Sequence, residues 1–111
     1  MENLLQKQKL FAAMAAELIR KANRMGFGVT LSEAWRTPEQ AKLNAQKKTG
    51  IKNSLHCDRL AIDINLFADH IYLTNAISYQ QLGEFWESIG GTWGGRFGDG
   101  NHFSLEHNGR K

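Results

Sequence analysis

The run Ser54-Leu-His56-Cys-Asp-Arg-Leu-Ala-Ile-Asp63 places an imidazole just ahead of a strand-like segment and a carboxylate inside it. Leu60, Ile62, Ile64 and Leu66 alternate with Ala61, Asp63 and Asn65, the period of a half-buried strand. The apolar set faces a core, so Asp63 points the other way, into a surface or cleft. A carboxylate on a rigid strand beside a histidine is half of a metal site. The segment Asp99-Gly-Asn-His102-Phe is the obvious supplier of the other half. Two histidines and an aspartate leave a coordination position free, which is the pattern of catalytic zinc, whose bound water has a pKa lowered to about 7. The same ligand types also suit a two-histidine, one-carboxylate iron centre. A closed structural zinc site would typically include cysteines, and Cys57 is the only one in the chain.

Hydrolysis at such a centre needs a group that takes a proton from water and returns it to the leaving amine. Asp99 precedes His102 by three residues, so ligand and base can share one turn. Arg36 is the remaining candidate. It follows a short alternating segment, Val29-Thr-Leu31-Ser, that runs on through Glu33-Ala-Trp, and strict alternation puts it on the side of Thr30, Ser32 and Ala34. Thr37-Pro38-Glu39 then reads as a helix start, with a hydroxyl cap, a first-turn proline and an acid at the positive end. That helix is expected to run to about Lys48 and stop at Gly50. An arginine pinned at the end of a strand can fork two hydrogen bonds onto a carboxylate or carbonyl oxygen.

Other segments supply the frame. Leu4, Phe11, Met14, Ala15, Leu18, Ala22 and Met25 form an apolar stripe over residues 4–25, with Gly26 as the stop. Leu82, Phe85, Trp86 and Ile89 repeat at helical spacing before Gly90-Gly91. Asp69-His70 reads as a turn with an exposed histidine. The segment from Thr92 to His107 is dense in glycine and aromatic residues, so backbone can approach closely there and Trp93 and Phe97 can wall a cleft. His102-Phe-Ser-Leu105 alternates, with Glu106 expected on the face of His102 and His107 on the opposite one.

At 111 residues the chain is expected to form one domain over residues 1–111 with a modest core. It has no apolar run of about 20 residues, the length of a membrane span, and no secretory signal is visible at its start. The lone Cys57 is expected to be a small, mostly buried thiol. The net charge of +3 is uneven: residues 1–59 carry eleven Lys/Arg against five Asp/Glu, and residues 60–111 carry three against six. A basic half can attract polyanions, among them nucleic acid, anionic lipid and bacterial wall polymers.

The set Trp35-Arg36-Thr37-x-x-Gln40, Ser54-x-His56-x4-Ala61-x-Asp63 and Asp99-x-x-His102-Phe103 resembles the D-alanyl-D-alanine carboxypeptidase and L-alanyl-D-glutamate endopeptidase family. These are zinc peptidases, and the phage members are endolysins. The resemblance implies a Hedgehog-like α+β fold, an antiparallel sheet flanked by helices. It implies His56, Asp63 and His102 as zinc ligands, Asp99 as the base, Arg36 as the arginine that binds substrate, and Ser54 as a serine that contacts it. Two departures stand out: Arg59 occupies a position where many members have glycine, and Asp99 replaces the glutamate of several relatives.

The function so implied is zinc-dependent cleavage of peptidoglycan stem peptides, between L-alanine and D-glutamate or at a terminal D-alanine. The expected protein is monomeric and phage-like, made in a bacterial cytoplasm and released to the wall through a holin-type lesion, without stable membrane insertion. Two rivals belong to other classes. A non-catalytic zinc- or wall-binding module would keep the ligands and lack the base, but Asp99 is present. A metal nuclease would bind DNA in a strongly salt-dependent way, and the acidic second half breaks any continuous phosphate track, so no nucleic-acid partner is expected.

Overall fold

The computed structural model describes residues 3–46 and 54–111. Helix α1, Leu4–Arg24, begins at a reciprocal cap in which Asn3 Oδ1 accepts from the Gln6 N–H at 2.8 Å and Gln6 Oε1 accepts from the Asn3 N–H at 3.0 Å. It ends before Gly26, whose φ of +93° supplies the left-handed turn that stops the helix. The chain then forms strand β1, Gly28–Glu33, and helix α2, Pro38–Gln46. Thr37 Oγ1 accepts from the Gln40 N–H at 3.0 Å, so the expected hydroxyl cap is present. The expected end of this helix near Gly50 lies outside the described residues.

A 3-10 turn over Leu55–Asp58 leads into β2, Ala61–Ala68, and the two-residue Asp69-His70 turn returns the chain as β3, Ile71–Leu73. Helix α3, Gln80–Ser88, follows a 3-10 turn at Ala76–Tyr79, and two short strands, β4 at Thr92–Trp93 and β5 at His102–Ser104, complete the sheet. The fold is therefore α+β, with five antiparallel strands and three helices among the described residues.

Strand β2 is the spine of the sheet. β1 pairs along one edge of it, β5 and β3 divide the other edge, and β4 lies beyond β5. One face of β2, with Ile62, Ile64 and Leu66, is buried in a single core with Phe11, Met14 and Leu18 of α1 and with Leu82 and Trp86 of α3. Polar anchors close this core. Trp86 Nε1 donates to the Ser104 carbonyl at 2.8 Å, and Tyr79 Oη donates to the Leu73 carbonyl at 2.7 Å while accepting from the Leu66 N–H. Both satisfy groups that would be costly to bury unpaired.

The other face of β2 carries Asp63, Asn65 and Phe67. The register aligns three residues across it: Glu33 of β1, Asp63 of β2 and His102 of β5. Strict alternation puts Glu33 on the side of Leu31, away from Asp63. A β-bulge between Leu31 and Glu33 shifts the phase by one residue and turns Glu33 onto the face of Asp63. The strand then stops, so the extended run expected as far as Arg36 does not form.

Candidate metal centre

The strongest feature of the sequence becomes a site because three elements meet at the end of β2. Asp63 is fixed by ladder pairing on both sides, and His102 is its direct cross-strand neighbour in β5. His56 comes from the 3-10 turn that feeds β2. Ser54 caps that turn, its Oγ accepting from the His56 N–H at 3.1 Å, and is itself only 3% exposed. One ligand atom from each of His56, Asp63 and His102 lies within 4.8 Å of the other two.

The geometry inside the trio is tight. Asp63 Oδ1 is 3.0 Å from His102 Nδ1 and 3.3 Å from His56 Nε2. The two imidazoles meet edge to face, with centroids 5.1 Å apart. The His56 side chain is 3% exposed and its Nδ1 is buried with no partner, so packing and the Nε2 contacts hold this ring. Burial pushes the Asp63 carboxyl up, but hydrogen bonds from His102 and His56, with their charge, outweigh it and hold the group down at about 2. Two imidazole nitrogens around an oxygen that stays anionic are a donor set suited to a divalent transition metal. With only three donors, a fourth position remains for a reactant.

Asp99 sits in the exposed segment between the 3-10 turn Gly94–Phe97 and β5. Its carbonyl accepts from the His102 N–H at 3.2 Å, and its N–H donates to the Gly94 carbonyl at 2.9 Å. Ligand and candidate base thus share one turn. Gly94 is required at this crossing: a Cβ there would lie 2.4 Å from the Asp99 carbonyl oxygen and 2.8 Å from the His102 Cβ. Asp99 also borders a cavity of about 210 Å³ lined by Tyr72, Thr74, Asn75 and Asn101.

Arg36 reaches the same centre from the end of β1. Its backbone N–H donates to the His56 carbonyl at 3.2 Å, its side chain is 14% exposed, and its guanidinium forms an ion pair with Glu33. Glu33 was not among the residues that the sequence singles out, yet its Oε1 is also 3.6 Å from His56 Nε2. The one signal available in the sequence is the three-residue step from Glu33 to Arg36.

The remaining candidates fall elsewhere. His70 is exposed in its turn. His107 Nδ1 contacts Lys7 Nζ at 3.3 Å, in a backbone bridge to Arg110 rather than at the trio. Glu106 does not continue the face of His102, because β5 ends at Ser104; Glu106 Oε1 accepts from the Gly109 N–H instead. Cys57 is half-buried rather than mostly buried, and burial pushes its thiol up, away from the reactive thiolate. Arg59 ends the 3-10 turn in a left-handed conformation, φ +57°, with its guanidinium 4.6 Å above the Trp35 ring.

Among the described residues, no helix is long and apolar enough to cross a membrane. A family model described as D-alanyl-D-alanine carboxypeptidase matches residues 47–105. That span holds Ser54, His56, Asp63, Asp99 and His102 and begins after Glu33 and Arg36. A search of curated proteins finds no match.

Proposed function

This chain belongs to the D-alanyl-D-alanine carboxypeptidase family of zinc-dependent metallopeptidases, which act on peptidoglycan peptides, and from that premise we propose that it cuts stem peptides as an L-alanyl-D-glutamate endopeptidase. The convergence of His56, Asp63 and His102 within 4.8 Å carries the reading. In it these three residues hold a zinc ion. When bound, zinc supplies Lewis acidity and a water whose pKa is lowered to about 7.

The rest of the chemistry belongs to side chains. Asp99 takes the proton of the attacking water and returns it to the leaving amine. Arg36 binds a substrate oxygen with the donors that its pairing to Glu33 leaves over. Ser54 seats His56 through its buried Oγ, and a contact with substrate needs the turn at Leu55–Asp58 to open. An endopeptidase needs room on both sides of the scissile bond. The cavity beyond Asp99 and the position of Arg36 at the other end of the centre support that choice over removal of a terminal D-alanine. A phage or prophage lysis enzyme, monomeric, made in a bacterial cytoplasm and released to the wall through a holin-type lesion, fits the basic half of the chain and an anionic wall.

The test is digestion of purified muropeptides with and without a chelator, read by mass spectrometry alongside Asp99→Ala. The expected result is chelator-sensitive release of the peptide at the L-alanine to D-glutamate bond, reduced by about 10²- to 10⁴-fold in the variant, the usual range for losing a general base. Loss of terminal D-alanine alone would move the assignment to the carboxypeptidase. Intact muropeptides from protein that carries zinc would sink the enzyme reading in favour of a binding module.

A further inference from the structure

The ion pair between Glu33 and Arg36 sits where a bulge, not the regular alternation of β1, has placed it. The same carboxylate oxygen that accepts from Arg36 lies 3.6 Å from His56 Nε2, the edge of the ring that faces Asp63. Glu33 is therefore shared between the cation expected to meet substrate and the imidazole expected to meet metal. Arg36 is further fixed by its backbone N–H on the His56 carbonyl and by α2, which starts two residues later. Its Nε is buried without a partner, so the guanidinium depends on its outer nitrogens for hydrogen bonds.

We propose that Glu33 is a positioning residue: its carboxylate holds the Arg36 guanidinium against the His56 edge of the trio, so the substrate-binding cation is in place before substrate arrives. This rests on the peptidase reading above. A free arginine side chain must give up its rotamer freedom to bind, and a carboxylate partner removes that freedom in advance. Because the guanidinium has five N–H donors, pairing with Glu33 orients it without exhausting it. Neutralising Arg36 also keeps an unbalanced positive charge away from a bound cation. Glu33 is 32% exposed, open enough to serve as a lining group.

The test combines a double-mutant cycle with a chemical probe. Glu33→Gln keeps the shape and removes the charge. It is expected to raise KM about tenfold with kcat within about threefold, the sign of lost substrate binding. In the Arg36→Ala background the same change should add less than about twofold, because the two residues act as one unit. Glu33→Asp, which retains the charge one methylene short, should recover part of the KM; it carries the test if Glu33→Gln fails to fold. Zinc affinity, measured by chelator competition, should fall less than about tenfold, below the 10- to 100-fold cost of disturbing a ligand's supporting shell. An equal KM effect in both backgrounds, or a larger loss of zinc, overturns the proposal.

The probe is phenylglyoxal modification of Arg36, followed by peptide mass mapping on purified protein, and it needs no activity. If the wild-type protein leaves muropeptides intact, the peptidase reading fails and the probe still decides this one. Several-fold faster modification of Arg36 in Glu33→Gln upholds the pinning, and an unchanged rate overturns it.

Discussion

The wall formed by His56, Asp63 and His102 and the wall formed by Asp99 are built on different principles. On the first, each ring or carboxylate sits on a strand or a capped turn and touches another member: Asp63 reaches both imidazoles, and Glu33 reaches His56 and Arg36. On the second, Asp99 lies in an exposed loop, held by two backbone hydrogen bonds, and among the described residues its carboxylate has no hydrogen-bond or ion-pair partner. On the proposed reading, the contrast follows from the demands on each side. Metal ligands would have to hold one geometry, which rigid elements provide. A base would have to meet a proton that arrives with the substrate, and such contacts often tighten only in the complex.

Gly94→Ala separates the two walls most sharply. The added Cβ would press on the Asp99 carbonyl and the His102 Cβ at once, and Gly94 is buried, so one of the two must move. If the ligand wall is the stiffer, Asp99 yields. Cleavage should then fall about 100-fold, the cost of a displacement of about 1 Å in a reacting group, while zinc content and chelator resistance stay close to wild type. Parallel loss of zinc and activity would show that the two walls move together.

A smaller effect probes the ligand wall alone. The folded-state pKa of Asp63 is depressed from near 4 to about 2, so its contribution to stability is present above the unfolded value and is lost as pH falls through the folded one. Metal-free protein should lose about 2 kcal/mol of unfolding free energy between roughly pH 5 and pH 1 through this group. Denaturant melts at stepped pH measure it. Asp63→Asn, with no carboxylate to titrate, should flatten the acid limb; a limb of unchanged steepness would mean that other carboxylates carry it.

How much of this was legible follows the same division. Regular elements announce themselves: the alternation from Leu60 to Leu66 gave β2 and aimed Asp63 outward, and the stripes ending at Met25 and Ile89 became α1 and α3. His56, Asp63 and His102 were readable because residue type and spacing are written in the chain, and the structure brings them together. Glu33 was not readable. Its placement depends on a bulge, a one-residue slip that no periodicity encodes and that reverses which face every later residue takes. Glu106 was misplaced for a related reason: alternation was carried past Ser104, where pairing with β2 ends and the chain turns at Gly109.

The smallest predicted effect concerns Arg59, on the turn that delivers His56. A left-handed backbone costs a residue with a side chain about 1 kcal/mol more than glycine. Against that cost stands the stack of the Arg59 guanidinium on Trp35, a half-exposed pair worth about 0.5–1 kcal/mol. The two nearly cancel, so Arg59→Gly should change stability by less than about 1 kcal/mol. Because Leu60 N–H donates to the Leu55 carbonyl at 2.9 Å and Ser54 caps the other end, the turn itself should survive the change. Zinc affinity and cleavage should therefore stay within about twofold of wild type, as expected for a site away from the reacting groups. A drop of tenfold or more in zinc affinity would mean that Arg59 holds His56 in place, and that the ligand wall owes its stiffness to a surface stack rather than to the strand and the capped turn.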